Sequence, residues 1–227
     1  MLKRFMKMHR GEKGITGLET AIILIAFVVV ASVFAYTVLS AGIFSSQKGK
    51  EAIYSGLEEA MATLEPRGSM TAASATVGTL PGTETAVTLS FTLTTALSGQ
   101  AVDLSPPYTV DATDLTASGL QNVCLVSFID ENMIIADAAW TIVFVGKNNG
   151  DYLLEAEEKA VITVWLANYT LSAWALGVDE TDPFIDTEVE LLDIYDTFTV
   201  EVRADKGAVL VLERTLPGRF DAVMDLN

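Results

Sequence analysis

The hydrophobic positions of this chain form one long block near its N-terminus. No charged residue occurs from Thr20 to Gln47, a span longer than the roughly 20 residues that cross a bilayer. The block is apolar on all sides, which suits a helix in lipid or inside a bundle. Behind it, apolar residues recur at spacings of three and four: Ile53, Leu57, Ala60, Met61 and Leu64. This stripe, followed by Pro66 and Gly68, predicts one helix over residues 15–65, about 75 Å long.

The remainder of the chain alternates with a period of two. Thr, Ala, Ser and Gly dominate Ser69 to Thr85, so we predict a linker or loop over residues 66–85. Short strand-like runs separated by turn signals then follow, at residues 86–94, 108–111, 122–130, 140–145, 160–166, 198–203 and 208–213. Because several runs alternate apolar and polar residues, we expect antiparallel sheets with one wet face. The fold class is therefore predicted as α+β, a long N-terminal apolar helix followed by an Ig-like β-sandwich over residues 86–227.

The net charge changes sign after residue 14. Residues 1–14 carry five basic side chains against Glu12, a net charge of +4, so the whole-chain charge of −16 leaves −20 for the rest. A basic flank before an apolar span places that flank in the cytoplasm and the C-terminal bulk outside. The acidic remainder argues against nucleic acid as a partner. A plain single-pass anchor explains the same pattern equally well from hydropathy alone.

The sequence offers little catalytic chemistry. His9 is the only histidine, and the chain has neither a phosphate-binding GxxxxGK[ST] loop nor a CxxC pair, so no enzyme activity and no cofactor are expected. Cys124, the single cysteine, lies in a strand pattern and is expected to be a buried thiol. The acidic run at residues 179–186 offers oxygen ligands for Ca²⁺, but it departs from the EF-hand template and suits a solvated loop better. Asn168 begins the one Asn-x-Thr acceptor for an N-linked glycan.

The junction between the basic segment and the apolar block resembles that of a known family. Gly14 is followed by Ile15-Thr16-Gly17-Leu18-Glu19 and by the run from Ile25 to Ala31, a pattern similar to archaellins, the archaeal flagellins of the type IV pilin-like superfamily. The resemblance implies a class III signal peptide over residues 1–14, cut after Gly14 by a prepilin-type signal peptidase. It also implies that the helix is transmembrane in the precursor and forms the filament core after assembly. Glu19 departs from many archaellins, which have a small residue there.

The resemblance further implies partners, location and assembly residues. The expected partners are other copies of the chain or other archaellins, the peptidase, an assembly ATPase and its membrane platform. The expected location is the extracellular flagellar filament, where the subunit transmits motor torque for swimming, with the cytoplasmic membrane holding the precursor. By the same resemblance Ile15, Glu19, Phe27 and Phe34 are assigned to assembly. An adhesive archaeal pilin and a membrane-anchored binding module remain alternatives.

Glu19 is the only charge within the apolar half of the helix that would remain after cleavage. A carboxylate in such surroundings is unfavourable unless it is paired. Cleavage would create a partner, the α-amino group of Ile15, in the same helix or in a neighbouring subunit. The alternative is that Glu19 only interacts favourably with the helix dipole, which contributes about 0.3–1 kcal/mol.

Overall fold

The structure, a computed structural model, describes residues 13–78, 82–97, 99–178 and 182–226, with the backbone alone for residues 13–16. Helix α1 spans Lys13–Met61, so the predicted long helix is confirmed and ends four residues earlier than expected. The difference arises because Leu64 is buried and leaves the helical stripe for a short strand, Leu64–Pro66, where it pairs with Thr95. Residues 1–12 of the predicted signal peptide, which spans residues 1–14, lie outside the described residues.

Sixteen strands follow the helix in the described part of the chain. Their bounds are β1 Leu64–Pro66, β2 Met70–Val77, β3 Thr83–Thr95, β4 Val102–Asp103, β5 Tyr108–Val110, β6 Leu115–Ala117, β7 Leu125–Ile129, β8 Ile134–Ile135, β9 Ala139–Phe144, β10 Leu153–Leu154, β11 Ala160–Trp165, β12 Asn168–Thr170, β13 Ala173–Ala175, β14 Thr197–Arg203, β15 Leu210–Thr215 and β16 Val223–Leu226. Each of the seven predicted runs overlaps one of these strands.

Two main sheets carry the β-domain. The first has the strand order β16-β2-β3-β11-β9, with β1 paired to β3, and the second has the order β15-β14-β7-β8. Three two-stranded pairs, β4 with β10, β5 with β6 and β12 with β13, complete the pattern. The pairings are antiparallel throughout the described residues. The predicted α+β class with antiparallel sheets is therefore confirmed.

One hydrophobic core lies between the two sheets. Leu89 and Ile162 enter it from the first sheet, and Phe128 and Phe198 enter it from the second, where their rings stack with centroids 5.7 Å apart. Trp140 is also fully buried in this core. Apolar residues at alternate positions of facing sheets thus build the sandwich that the period of two predicted.

The outer face of the first sheet is drier than expected. Alternation along β3 assigns Thr88 and Thr94 to a wet side, but both are buried, as is Thr141 of β9. The hydroxyls of Thr94 and Thr141 form hydrogen bonds inside the domain. Thr94 Oγ1 donates to Glu158 O at 3.2 Å, and Trp165 Nε1 donates to Thr141 Oγ1 at 3.0 Å. Loops and aromatic side chains therefore cover part of this face.

The predicted linker over residues 66–85 is wrong for most of its length. Strand β2, Met70–Val77, lies inside the first sheet between β3 and β16. Its Ala, Ser and Thr residues have the composition of a linker, yet Met70, Ala72 and Val77 are buried. The partner strands β3 and β16 pair with it in antiparallel register. Residues 79–81 lie outside the described residues.

The last turn of α1 is held by the loop after β14. Gly207 has φ +94°, and a Cβ there would lie 2.5 Å from the backbone oxygen of Ala62, so only glycine fits this approach. Next to it Lys206 Nζ donates to Glu58 Oε1, which raises the pKa of Lys206. Two hydrogen bonds to Thr63 complete the contact. Ala96 N donates to Thr63 O at 2.9 Å, and Ala208 N donates to Thr63 Oγ1 at 3.5 Å.

Most ion pairs among the described residues join near neighbours at the surface. Six cationic side chains, those of Lys48, Arg67, Lys147, Arg203, Lys206 and Arg219, pair with carboxylates of the same chain. Exposed pairs of this kind contribute about 0–1 kcal/mol each. These pairs contribute little to stability. Their main effect is that these Lys and Arg side chains are less available to pair with anionic groups of other molecules.

Cys124 is buried, as predicted, and its environment gives a testable consequence. Burial, assisted by Asp103 and Asp205, raises the pKa of the thiol from 9.0 to about 12. Since the thiolate is the reactive form, we expect no reaction of the folded chain with iodoacetamide at pH 8 and complete reaction in denaturant. Rapid labelling without denaturant would contradict this.

Because burial raises the pKa of the Cys124 thiol in the folded chain, the free energy of unfolding should decrease as the pH rises from 9 to about 12.

Candidate assembly surface and glycan site

The apolar side chains of α1 are exposed along the length of the helix. Phe27 is 72% exposed and Phe34 is 69% exposed. The helix is long and apolar enough, from Gly17 onward, to cross a membrane. Removing one such side chain from water contributes about 1.5–3 kcal/mol, so a surface of this kind needs lipid or other proteins around it.

The two phenylalanines lie on one face of the helix. Phe27 and Phe34 are seven residues apart, which is close to two full turns. Gly42 and Gly49 repeat the same spacing further along, and a Cβ at either would meet no atom within 4 Å. Glycine inside a helix is unfavourable by about 1 kcal/mol relative to alanine, and it allows close approach of another helix. Sequence analysis missed these glycines, although their seven-residue spacing was visible.

Glu19 is exposed on the same helix and forms no ion pair with another described residue. In the full chain α1 begins at Lys13, and its first turn contains no acidic residue. Glu19 is therefore beyond the first turn of the uncut helix, where the helix dipole acts weakly. Cleavage after Gly14 would bring it to the fifth position. Gly14 and Ile15 belong to α1 by backbone, and their side chains are outside the described residues.

Asn168 lies at the start of a two-stranded hairpin formed by β12 and β13. Its register partner is Ala175, and Thr170 faces Ala173. Thr170 Oγ1 donates to Asn168 Oδ1 at 3.2 Å, so the two polar members of the acceptor motif are on one face. Small alanines opposite them leave room on that face. Tyr169 points to the other face by alternation.

Aromatic rings cover the other face of the hairpin. Tyr169 and Trp174 pair across the strands with ring centroids 4.9 Å apart, and Trp174 stacks on Trp165 at 5.7 Å. These contacts fasten the hairpin to the sheet, because Trp165 belongs to β11. The Asn168 face is consequently directed away from the aromatic layer.

The turn of the hairpin has an unusual sequence for its conformation. Leu171 and Ser172 both have positive φ, 54° and 60°, in a two-residue turn that normally contains Asn or Gly. A second loop compensates, since Leu171 N donates to Asp114 Oδ1 at 2.8 Å and Ser172 N donates to Thr113 O at 2.9 Å. The chain after Asn168 is thus held in a tight, exposed turn.

The acidic run at residues 179–186 is only partly described, since residues 179–181 lie outside the described residues. Asp182 Oδ2 accepts a hydrogen bond from Val178 N at 2.7 Å, and Phe184 and Ile185 are buried. Asp182 lines an open cleft of about 450 Å³ together with Asp137. Within the described ranges, no group of three or more His, Cys, Asp or Glu side chains could hold a metal ion.

The chain was compared with known proteins. It matches the archaeal-type flagellin family over residues 14–214. Probable flagellin 1 of Archaeoglobus fulgidus is 32% identical over 226 residues, covering 97% of this chain and 98% of the relative. Probable flagellin 2 of the same organism is 34% identical and covers 94% of each chain. A chain from the solved archaeal flagellum of Methanospirillum hungatei strain JF1 shares the fold, with a TM-score of 0.55 and 23% identity over 92% of this chain and 98% of that one. The chain thus belongs to the archaeal-type flagellin family and is a structural subunit of the archaellum.

Proposed function

We propose that this flagellin is made as a membrane-anchored precursor, is cut between Gly14 and Ile15, and then joins the filament through α1. The observation that carries the proposal is the exposed apolar surface of the helix, which includes Phe27 and Phe34. Lipid would cover it before assembly, and the helices of other copies or of other archaellins would cover it afterwards. Because lipid and the filament interior are both apolar, moving the helix from one to the other changes the hydrophobic free energy little. The packing between helices then determines whether the subunit stays in the filament.

Cleavage is proposed to change the charge of the helix end. The segment removed carries +4, and it would otherwise have to enter an apolar bundle. A prepilin-type signal peptidase would make the cut on the cytoplasmic side, and an assembly ATPase with its membrane platform would move the cut subunit into the filament. The β-domain would then face outward in the extracellular filament and transmit torque by packing, with no catalytic step in the subunit.

The proposed role is tested by deleting the gene and examining the cells. Electron microscopy should show loss of the archaellum with pili retained, and a swimming assay should show loss of motility. Expression of the chain from a plasmid should restore both. Retained swimming together with loss of surface adhesion would instead identify the chain as an adhesive pilin.

A glycan at Asn168 is part of the proposal. The open face beside Ala173 and Ala175 gives it room, and we expect the intact mass of filament subunits to exceed the sequence mass. Asn168→Gln and Thr170→Ala should each remove the excess, whereas Thr170→Ser keeps the acceptor motif and should retain it. An unmodified peptide containing Asn168 as the sole species in purified filaments would reject the site.

A further inference from the structure

The exposed loop between β9 and β10 contains an unusual set of hydrogen bonds around an Asn-Gly pair. Gly150 N donates to Asn148 Oδ1, and Asp151 N donates to Asn149 Oδ1 at 3.0 Å. The other end of the Asn149 side chain is also held, since Nδ2 donates to Glu155 Oε2 at 3.5 Å. Asn149 is the one asparagine of the sequence that is followed by glycine.

The loop places a reactive carbonyl next to an unhindered backbone nitrogen. The hydrogen bond from Asp151 N to Asn149 Oδ1 closes a ring whose other members are joined by covalent bonds. Asn149 Cγ and Gly150 N both belong to this ring. Gly150 has φ +96°, and a Cβ there would meet nothing within 4 Å, so no side chain blocks the approach. The Asp151 N–H also points at the oxygen on which negative charge would develop if Gly150 N attacked Cγ, and such a donor stabilises that charge.

We propose that Asn149 is a site of spontaneous deamidation in the folded subunit, promoted by the backbone N–H of Asp151. The hydrogen bond from Gly150 N to Asn148 Oδ1 first opens. Gly150 N then forms a bond to Asn149 Cγ and gives its proton to water. The bond between Cγ and Nδ2 breaks, and the nitrogen takes up a proton and leaves as ammonia. Water then opens the resulting cyclic imide at either carbonyl, which yields aspartate or, with the main chain rerouted through Cβ, isoaspartate. The step consumes one water, releases one ammonia and involves no redox change.

Asn148 provides a built-in comparison within the same loop. It is also exposed, but the residue after it is Asn149, whose side chain crowds the backbone nitrogen. Its Oδ1 accepts the Gly150 N–H, which fixes the plane of that amide. The products at Asn149 would place a new negative charge beside Glu155, so the contact between these two side chains is lost.

The test follows modification by peptide mapping on the full chain. Purified filaments are incubated in neutral buffer, and mass spectrometry with fragmentation that distinguishes isoaspartate measures each asparagine over time. We expect product to accumulate at Asn149 while Asn148 stays intact, at a rate no slower than in the same chain held in urea. Slower reaction in the folded chain, or a loop that modifies at Asn148 instead, would overturn the proposal.

A matched pair of variants tests the role of the donor. Asp151→Ala and Asp151→Pro both lose the carboxylate, but only proline removes the N–H that reaches Asn149 Oδ1. Water can replace this donor in an exposed loop, so we expect Asp151→Pro to deamidate about tenfold more slowly than Asp151→Ala, less than the loss seen at buried oxyanion sites. Circular dichroism checks that both are folded. Equal rates in the two folded variants would show that Asp151 N–H plays no part; if proline prevents folding, the comparison with urea decides.

Discussion

Replacing Gly14 with tryptophan should leave the subunit uncut and abolish filaments. The resemblance places the cut after Gly14, and a bulky side chain there would block a site that accepts glycine. The uncut chain would keep residues 1–14, with their net charge of +4, on the helix that has to pack in the filament. One Lys or Arg at the centre of an apolar layer is unfavourable by about 2.5–3.5 kcal/mol, and this segment carries five. Mass spectrometry of membranes should find precursor beginning before Ile15, and electron microscopy should find no filaments.

Gly17 offers a matched control for this experiment. It is also a glycine near the start of α1, and a Cβ there would meet nothing within 4 Å. Gly17→Ala should therefore be cut as in the unmodified chain. Filaments whose subunits retain residues before Ile15 would contradict the cleavage hypothesis, whatever the variant shows.

Glu19→Gln should give a subunit that is cut normally and fails to assemble. The change keeps the shape of the side chain and removes its charge, so the proposed pair with the α-amino group of Ile15 is lost. That amine would then be the unpaired charge in the apolar bundle, and breaking one partner of a buried pair typically costs about 3–5 kcal/mol. Cut subunits should accumulate in the membrane, as measured by mass spectrometry of membrane and filament fractions.

A second carboxylate on α1 provides the comparison. Glu51 is exposed and pairs with Lys48 at 2.5 Å, and an exposed pair contributes about 0–1 kcal/mol. Glu51→Gln should therefore assemble almost normally. If Glu19→Gln also gives normal filaments, pairing is excluded, and the helix dipole remains the explanation for Glu19.

The helix and the strands with large side chains were predictable because each carries its own periodicity. Phe198, Val200 and Val202 alternate with polar residues in β14, and all three are buried as expected. Strand β2 was not predictable from composition, since its small residues resemble a linker until β3 and β16 are placed on either side. The drier face at Thr88 and Thr141 has a similar origin, because distant loops and Trp165 cover it.

For the candidate sites too, the sequence predicts some features and only the structure shows the others. Motif and resemblance predict Glu19, Phe27, Phe34 and Asn168 as site residues, and the structure adds the surroundings of each. The sequence alone could not show that the turn at Leu171 and Ser172 depends on Asp114, which lies 57 residues before Leu171. Nor could it show that Asp151 N–H reaches Asn149, because an Asn-Gly pair has no fixed geometry before the loop is closed.

The excess of carboxylates over cations in each subunit makes the assembled filament negatively charged. Six cations already meet carboxylates of their own chain, so little positive charge remains to draw one filament onto another. Dissolved salt sets the range of the resulting repulsion, which extends about 30 Å at 0.01 M and about 8 Å at 0.15 M. Filaments of this composition stay dispersed in dilute salt, and they can approach side by side only where the surrounding solution is concentrated enough to shorten that range.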